Sequence, residues 1–368
     1  MQIPFADRLH AFVQLRDQLS KLTTNNRVNY EEYADFIKTW NNTVETQYHQ
    51  NRWFIPEFSN YALQAIITML NDDELALFAQ KYEHQTGQIG QKVAVISAGN
   101  IPMAAFHDLF MILMSGNSYQ GKLSQHDKLL LPFVTQLLTE IYPPFKPHIE
   151  YVEQLSGYHK VIANGSNNSA RYFEYYFKNV PLLLRRNRHS AAVMTGCETE
   201  AELSALCQDM LLYFGMGCRS VSKIFIPKSF DFQGFIKIII ANSLLLEQHH
   251  HYLNNLDYRK TLMLMNQIPF WDAGTLILTE NRALASPIGV LHYQFYDNLT
   301  DVEHALQEDV EQLQCVVSNN RELKISTVPF GMAQQPSLFD FADGRDSFLF
   351  SVKIEKFVFL PTKIKNSH

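Results

Sequence analysis

The chain changes its hydrophobic rhythm near residue 90. Before that point apolar positions recur at spacings of three and four, which predicts helices over Ala6–Lys21, Asn29–Thr43, Ser59–Met69 and Asp73–Tyr82. Asn71 or Asp72 supplies an N-cap for the last of them. The block Asn51-Arg-Trp-Phe-Ile-Pro-Glu-Phe58 is irregular and aromatic, a packing anchor or part of a binding mouth. From Lys92 short apolar runs alternate with helical periods. Lys92–Ser97, Ser118–Leu123, His148–Val152 and Lys160–Ala163 read as strands; Pro102–Met114, His126–Ile141 and Asn167–Phe177 read as helices. Pro102 suits a first helical turn. A second run of the same kind begins near residue 195, with a helix over Ala201–Tyr213, a strand over Lys223–Ile226 and a helix over Phe232–Glu247. Strands follow at Ala273–Leu278, Gly289–Phe295 and Gln314–Val317, and the tail Ser347–Leu360 alternates as a strand that pairs with the sheet or with another subunit.

This order predicts an α/β protein with two Rossmann-like lobes and a helical N-terminal region. The expected divisions are a helical region over 1–90, a nucleotide-binding domain over 91–194, a cysteine-bearing domain over 195–335, and a C-terminal strand or oligomerisation arm over 336–368. Composition changes little in this picture. At 368 residues, 46% hydrophobic and 18% charged, the chain is long enough for two domains with sizeable cores. A net charge of −6 gives no general attraction to nucleic acid or acidic membranes. Four cysteines without C-x-x-C spacing argue for a reducing compartment. No signal peptide and no apolar segment of spanning length is read, so a soluble, cytoplasmic protein is expected, without membrane insertion.

Candidate chemistry gathers at loops. Cys218 lies in Tyr213-Phe-Gly215-Met-Gly217-Cys218-Arg219-Ser220, a tight helix-to-strand turn whose glycines permit sharp bending and close approach. A thiol there becomes a nucleophile if nearby N–H groups, cations or a base favour its thiolate, and Arg219 is a nearby cation. A small buried cysteine in a glycine turn is the plainer reading. A Gly-x-Gly-x-x-Gly fingerprint is absent. In its place three strand ends offer ligand groups: Ser97-Ala-Gly99-Asn100, Lys122-Leu-Ser124 and Asn164-Gly165-Ser166. Open α/β sheets bind ligands at such ends, and Gly165-Ser166 before a helix suits a phosphate. Arg185-Arg186-Asn-Arg188-His189 could hold a phosphate or a CoA tail, or form a solvated face. His249-His250-His251 reads as a polar helix end, because consecutive histidines on a helix cannot all face one ion; no metal site is expected.

In order, Asn100-Ile-Pro102, Lys122, Gly165-Ser166 and Gly-x-Gly-Cys218 resemble the aldehyde dehydrogenase superfamily. The resemblance is nearest to its LuxC-like acyl-CoA reductases, through Gly99-Asn-Ile-Pro102, Phe106-His-Asp108, Tyr213-Phe-Gly-x-Gly-Cys218-Arg-x-Val-Ser222 and Val328-Pro-Phe-Gly331. It covers roughly residues 90 to 350. It implies Cys218 as nucleophile and Asn100 as donor to the oxyanion. It implies Lys122 at the adenosine ribose or a 2′-phosphate, and Gly165-Ser166 along the pyrophosphate; Ser97, Gly99 and Ser124 join this cofactor-binding set.

Two departures matter. Where oxidising members carry a general-base Glu, this chain has Arg188-His-Ser-Ala-Ala-Val193. Where they hold the nicotinamide ribose with Glu-x-Phe-Gly-Pro, it has Ala285-Ser-Pro-Ile-Gly-Val290. Without a base to deprotonate water, aldehyde oxidation is disfavoured. The implied function is NAD(P)H-dependent reduction of a fatty acyl-CoA or other acyl thioester to an aldehyde. The alternative is a silent or partner-dependent binding or assembly protein on the same scaffold. Lys122, Ser124 and the lack of an acidic residue directly after the second strand favour NADPH over NADH, while Asp127 opposes it. A homodimer is the family expectation. The acyl chain length stays open, as does the donor, which is CoA, a carrier protein or an acyl-transferring partner enzyme.

Overall fold

The structure, a computed structural model, describes residues 3–23, 30–85 and 89–353. These fall into two compact units, one of residues 3–186 with 335–353 and one of Asn187–Gln334.

In the first unit α1 (Phe5–Thr23), α2 (Tyr30–Gln50), α3 (Pro56–Met69) and α4 (Asp72–Tyr82) precede an alternating run: β1 (Lys92–Ile96), α5 (Phe106–Met114), β2 (Ser118–Lys122), α6 (Leu130–Ile141), β3 (Ile149–Tyr151), β4 (Lys160–Asn164), α7 (Asn167–Tyr176) and β5 (Leu182–Arg185). Asn71 caps α4, its side chain accepting from Glu74 N–H. The strands form one parallel sheet in the order β3-β2-β1-β4-β5. Val93, Ala94 and Val95 of β1 are fully buried, as a central parallel strand covered on both faces requires. The order reverses direction between β1 and β4, which makes a switch point at their carboxyl ends. α5 is buried on nearly every face, Asp108 included.

The second unit holds β6 (His189–Val193), α8 (Glu200–Leu211), β7 (Val221–Pro227), α9 (Phe232–Ala241), α10 (Leu244–Glu247), α11 (His250–Met265), β8 (Trp271–Asp272), β9 (Ile277–Glu280), β10 (Val290–Tyr296), α12 (Leu299–Glu308) and β11 (Leu313–Val317). Its six strands run β11-β6-β7-β10-β9-β8, parallel except for the β8–β9 pair.

Several expectations change. The helix expected from Pro102 begins at Phe106, because Met103 takes a left-handed backbone (φ 54°) that interrupts it. The stretch read as a basic cluster contains β5 and β6, and β6 joins the second sheet. The 91–194 segment therefore gives its last strand to the second unit, and the units part between Arg186 and Asn187. The helices of 1–90 pack in the first unit rather than forming a separate one: Phe12 of α1 meets Phe110 of α5 edge-on at 4.7 Å. The Phe232–Glu247 helix breaks after Ala241, and α11 replaces a region for which no helix was expected beyond its first residues.

The tail is not a strand at its start. Residues Ser347–Val352 form α13, whose N-cap Asp346 accepts from Leu349 N–H at 2.9 Å. This helix belongs to the first unit and is tied to α5 and β5 there. Arg185 grips Asp108 with two bonds of 2.6 and 2.7 Å, and Ser347 Oγ joins both. The expected dimer strand beyond Lys353 lies outside the described residues.

Candidate functional site

The sequence-predicted residues separate into two groups, each within one unit. At the carboxyl ends of β1, β2 and β4 the sheet register brings Ser97, Gly99, Asn100, Lys122, Ser124, Gly165 and Ser166 together. Ile96 pairs with Lys122 on one side and with Ala163 on the other. Ser97 N–H donates to Lys122 C=O at 3.0 Å, and Asn164 Nδ2 to Ile96 C=O at 3.0 Å. The loops leaving β1 and β2 touch closely. A Cβ on Gly99 would stand 2.0 Å from Ser124 Oγ and 2.5 Å from its Cβ, so only glycine fits. A Cβ on Gly165 would stand 2.8 Å from Phe173 and 3.0 Å from Ser169 of α7, and Ser166 caps that helix through Ser169 N–H.

The loop carrying Asn100 is clasped from below. Asp127 accepts from Met103 N–H at 2.7 Å and so holds the left-handed turn just after Asn100-Ile-Pro102. Asp127 is 4% exposed. It therefore turns inward and does not face a 2′-phosphate in the way its nearness in sequence to Lys122 and Ser124 suggested. Burial raises its carboxyl from the ordinary 3.8 to about 6, against the pull of the Met103 and Leu130 N–H groups. Lys122 is exposed at the end of β2.

Each arginine of the cluster has a protein partner. Arg185 is buried in its bidentate pair with Asp108, which holds that carboxyl below its usual range despite burial. Arg186 meets Glu174 at 2.7 Å, and Arg188 donates to Leu313 C=O at 2.8 Å. His107, beside Asp108, contacts Leu338 C=O at 3.0 Å, and burial lowers its pKa. Phe106-His-Asp108 is thus a packing and ion-pair motif in this fold.

Cys218 stands in the second unit at the amino end of β7. Three consecutive residues before it, Tyr213 (φ 53°), Phe214 (φ 56°) and Gly215 (φ 71°), adopt left-handed backbone. Only the glycine does so without strain; the two aromatics cost on the order of 1–3 kcal/mol each. Both rings are buried, and Phe214 packs on His249 at 4.3 Å and on Tyr252 at 5.4 Å. Packing therefore holds a bend that the backbone resists. The turn closes with Ser220 N–H on Gly217 C=O at 3.0 Å. Cys218 itself is half-buried. Its carbonyl accepts from Ser190 Oγ at 3.0 Å, and the same hydroxyl lies 3.1 Å from Cys315 Sγ. Of the histidine triplet, His249 caps α11 by accepting from Tyr252 N–H, and supports the bend.

A second clasp, which the sequence did not suggest, anchors this turn to the Val328-Pro-Phe-Gly331 loop. Asp209 of α8 is fully buried and accepts from Gly331 N–H at 2.7 Å and Ala333 N–H at 2.9 Å. Arg219 Nε donates to Ala333 C=O, and Gln334 Nε2 to Ser220 Oγ at 3.0 Å. Burial pushes the Asp209 carboxyl up to about 6, partly offset by these N–H donors and by Arg219. Arg219 thus directs its Nε into the clasp. The β6 stretch contributes Ser190, and no carboxylate, beneath the turn.

Solved structures agree with this architecture. Methylmalonate-semialdehyde dehydrogenase from Oceanimonas doudoroffii superposes with a TM-score of 0.62 at 11% identity, over 91% of this chain and 79% of its own. NAD-dependent aldehyde dehydrogenase from Sinorhizobium meliloti gives 0.62 at 10%, over 87% and 72%. The chain has the aldehyde dehydrogenase fold. Aldehyde dehydrogenase 21 from Physcomitrella patens, solved with the reaction product succinate, matches that fold with 0.63 at 9% identity over 91% and 79%. No protein-family model and no curated protein matches the sequence. At such identities the likeness establishes the fold alone.

Among the described residues no cluster of metal-binding side chains occurs, and no helix is long and apolar enough to cross a membrane.

Proposed function

We propose that the protein reduces an acyl thioester to an aldehyde, with NAD(P)H as reductant and Cys218 as nucleophile. The observation that carries this reading is the Cys218 turn: a half-buried cysteine on a strained, clasped bend, with no carboxylate in the β6 stretch beneath it. The Cys218 thiolate attacks the thioester carbonyl carbon. A C–S bond to Cys218 forms as the thioester C–S bond breaks, the CoA or carrier thiolate leaves and takes its proton from water, and an acyl-enzyme remains. Asn100 and the Cys218 N–H stabilise the carbonyl oxygen as it gains charge, each donor contributing roughly 2.7–4 kcal/mol in comparable sites. Once hydride reaches the acyl carbon, the C–S bond breaks, aldehyde departs and the Cys218 thiolate is restored.

A dinucleotide suits the carboxyl ends of β1, β2 and β4. The switch point lies there, and Gly99 and Gly165 let the loops at these strand ends pack tightly against Ser124 and against α7. Bound there, the cofactor supplies the hydride. In this reading Lys122 would bind the adenosine ribose or a 2′-phosphate, with Ser97 and Ser124 joining it and Gly165-Ser166 lining the pyrophosphate. With Asp127 turned inward, the reading prefers NADPH. An acyl-CoA panel of rising chain length, followed by NADPH and NADH absorbance with detection of the aldehyde, tests the reaction. Consumption of reductant with stoichiometric aldehyde is expected. Oxidation of free aldehydes to acids without any thioester reduction would overturn it.

A further inference from the structure

The first sheet has a second concavity at the opposite ends of its strands, remote from the candidate cofactor groups. Gly90 lies just ahead of β1, Gly116 and Asn117 just ahead of β2, and His148 just ahead of β3, and all four line a cavity of about 330 Å³. Its apolar walls are Ile3, Ile89, Leu113 and Phe145. Its one lining cation of fixed charge is Arg8, and no carboxylate lines it among the described residues.

Arg8 is unusual. It is 7% exposed, as buried as Arg185, yet Arg185 has Asp108 and Arg8 has no ion-pair partner among the described residues. Its Nη1 donates to Leu113 C=O at 3.2 Å and Met114 C=O at 2.6 Å, the last carbonyls of α5. That accounts for one nitrogen as a helix cap. Its Nε is buried without a hydrogen-bond partner among the described residues, as Arg185 Nε also is, so what sets Arg8 apart is the missing carboxylate. Leaving such a donor unsatisfied is costly, and a buried guanidinium is ordinarily matched by an anion. Burial accordingly lowers the Arg8 pKa to about 10. Gly116 lets the main chain pass beneath the guanidinium, where a Cβ would come within 2.9 Å of Nη1. His148, whose Nδ1 meets Ser118 Oγ at 2.9 Å, adds a second polar group to the same cavity.

We propose that this cavity binds a monoanionic organic carboxylate with an apolar body. The carboxylate completes Arg8, with His148 beside it, and the body lies against Ile3, Ile89, Leu113 and Phe145. The site is separate from the chemistry proposed for Cys218 and does not depend on it.

Isothermal titration of the full chain with octanoate tests the inference, with octanamide and inorganic phosphate as controls. Octanoate is expected to bind with Kd below about 1 mM, and each control at least about tenfold more weakly. Arg8→Met should weaken octanoate about 10- to 100-fold. Because Arg8 also caps α5, Ile89→Trp serves as a second variant: Ile89 is 45% exposed, so the indole fills the cavity without disturbing a packed core. It should weaken octanoate at least about tenfold even if Arg8→Met does not fold. Absence of saturable binding by about 10 mM octanoate overturns the proposal. So does equal binding of octanamide, binding of phosphate in preference to octanoate, or octanoate affinity unchanged in Ile89→Trp.

Discussion

The two units prepare their candidate groups by opposite means. In the first, topology does most of the work: parallel strands reverse order between β1 and β4, and loops leaving adjacent strand ends converge. Gly99 and Gly165 are needed there for room rather than for conformation. In the second, the cysteine sits at the amino end of β7, where no switch point forms, and local backbone strain replaces topology. Tyr213 and Phe214 are forced left-handed and held by ring packing, then fixed by the Asp209 clasp. Both units do share one device. A buried carboxylate, Asp127 or Asp209, accepts N–H bonds from a loop that carries or supports a candidate site residue. A loop presented by a strand end needs a single such anchor, whereas a strained turn needs anchors on both sides.

The difference between the units can be broken apart by mutation. Cys218→Ala should reduce thioester turnover by at least about 10³-fold, since no other group on the turn replaces a covalent nucleophile. NADPH affinity, measured by fluorescence, should not change. Persistent turnover in that variant would remove the cysteine from the chemistry. Asp209→Ala comes next in size. It leaves the Gly331 and Ala333 N–H groups buried without an acceptor, which costs about 2–4 kcal/mol. Thermal unfolding should shift down and Cys218 alkylation should change, again with cofactor affinity retained.

Asp127 offers a test through pH. Its carboxyl ionises near 3.9 in the unfolded chain and near 6 in the folded one. Between those values the unfolded state releases the proton first, so stability falls as pH rises from about 4 to 6 and stays lower above that. Asp127→Asn keeps an acceptor for Met103 N–H but removes the titration. The variant should gain relative to the wild type by up to about 2–3 kcal/mol between pH 4 and 7, read as a growing difference in Tm. A difference that is flat with pH would mean that Asp127 titrates normally. Asp209 shifts in the same direction, so the wild-type curve carries both contributions. The smallest effect is expected for Gly99→Ala. Its methyl must displace Ser124, which should weaken NADPH roughly tenfold, with partial recovery in Gly99→Ala with Ser124→Ala. The acyl-adduct yield on Cys218 should be unaffected.

Much of this was legible in the sequence where local signals and global fold agree. The apolar run of β1 followed by Gly99-Asn100 announces a strand and its functional end, and the Gly-x-Gly spacing announces the bend at Cys218. What stayed hidden depends on distant partners. Asp209 looks like any polar helix position until its contacts with residues over 120 positions away are seen. Asp127 reads as a carboxylate that opposes a 2′-phosphate because nothing nearby in sequence reveals the Met103 N–H that draws it inward. Aromatic residues give no hint of left-handed backbone, so Tyr213 and Phe214 were assigned to the preceding helix or to the turn without strain. Arginines at the end of β5 and ahead of β6 masked two strands, because Arg185 is buried only by virtue of Asp108. The tail alternated like a strand, but the Asp346 cap and the pocket for Ser347 favoured a helix.

Intact-protein mass spectrometry after mixing the protein with an acyl-CoA, without reductant, bears most directly on the role of Cys218. The mass should rise by one acyl group, map by peptide analysis to Cys218, and disappear with release of aldehyde once NADPH is added. An unmodified protein, or an adduct on Cys197 or Cys315 that NADPH does not discharge, would contradict the account.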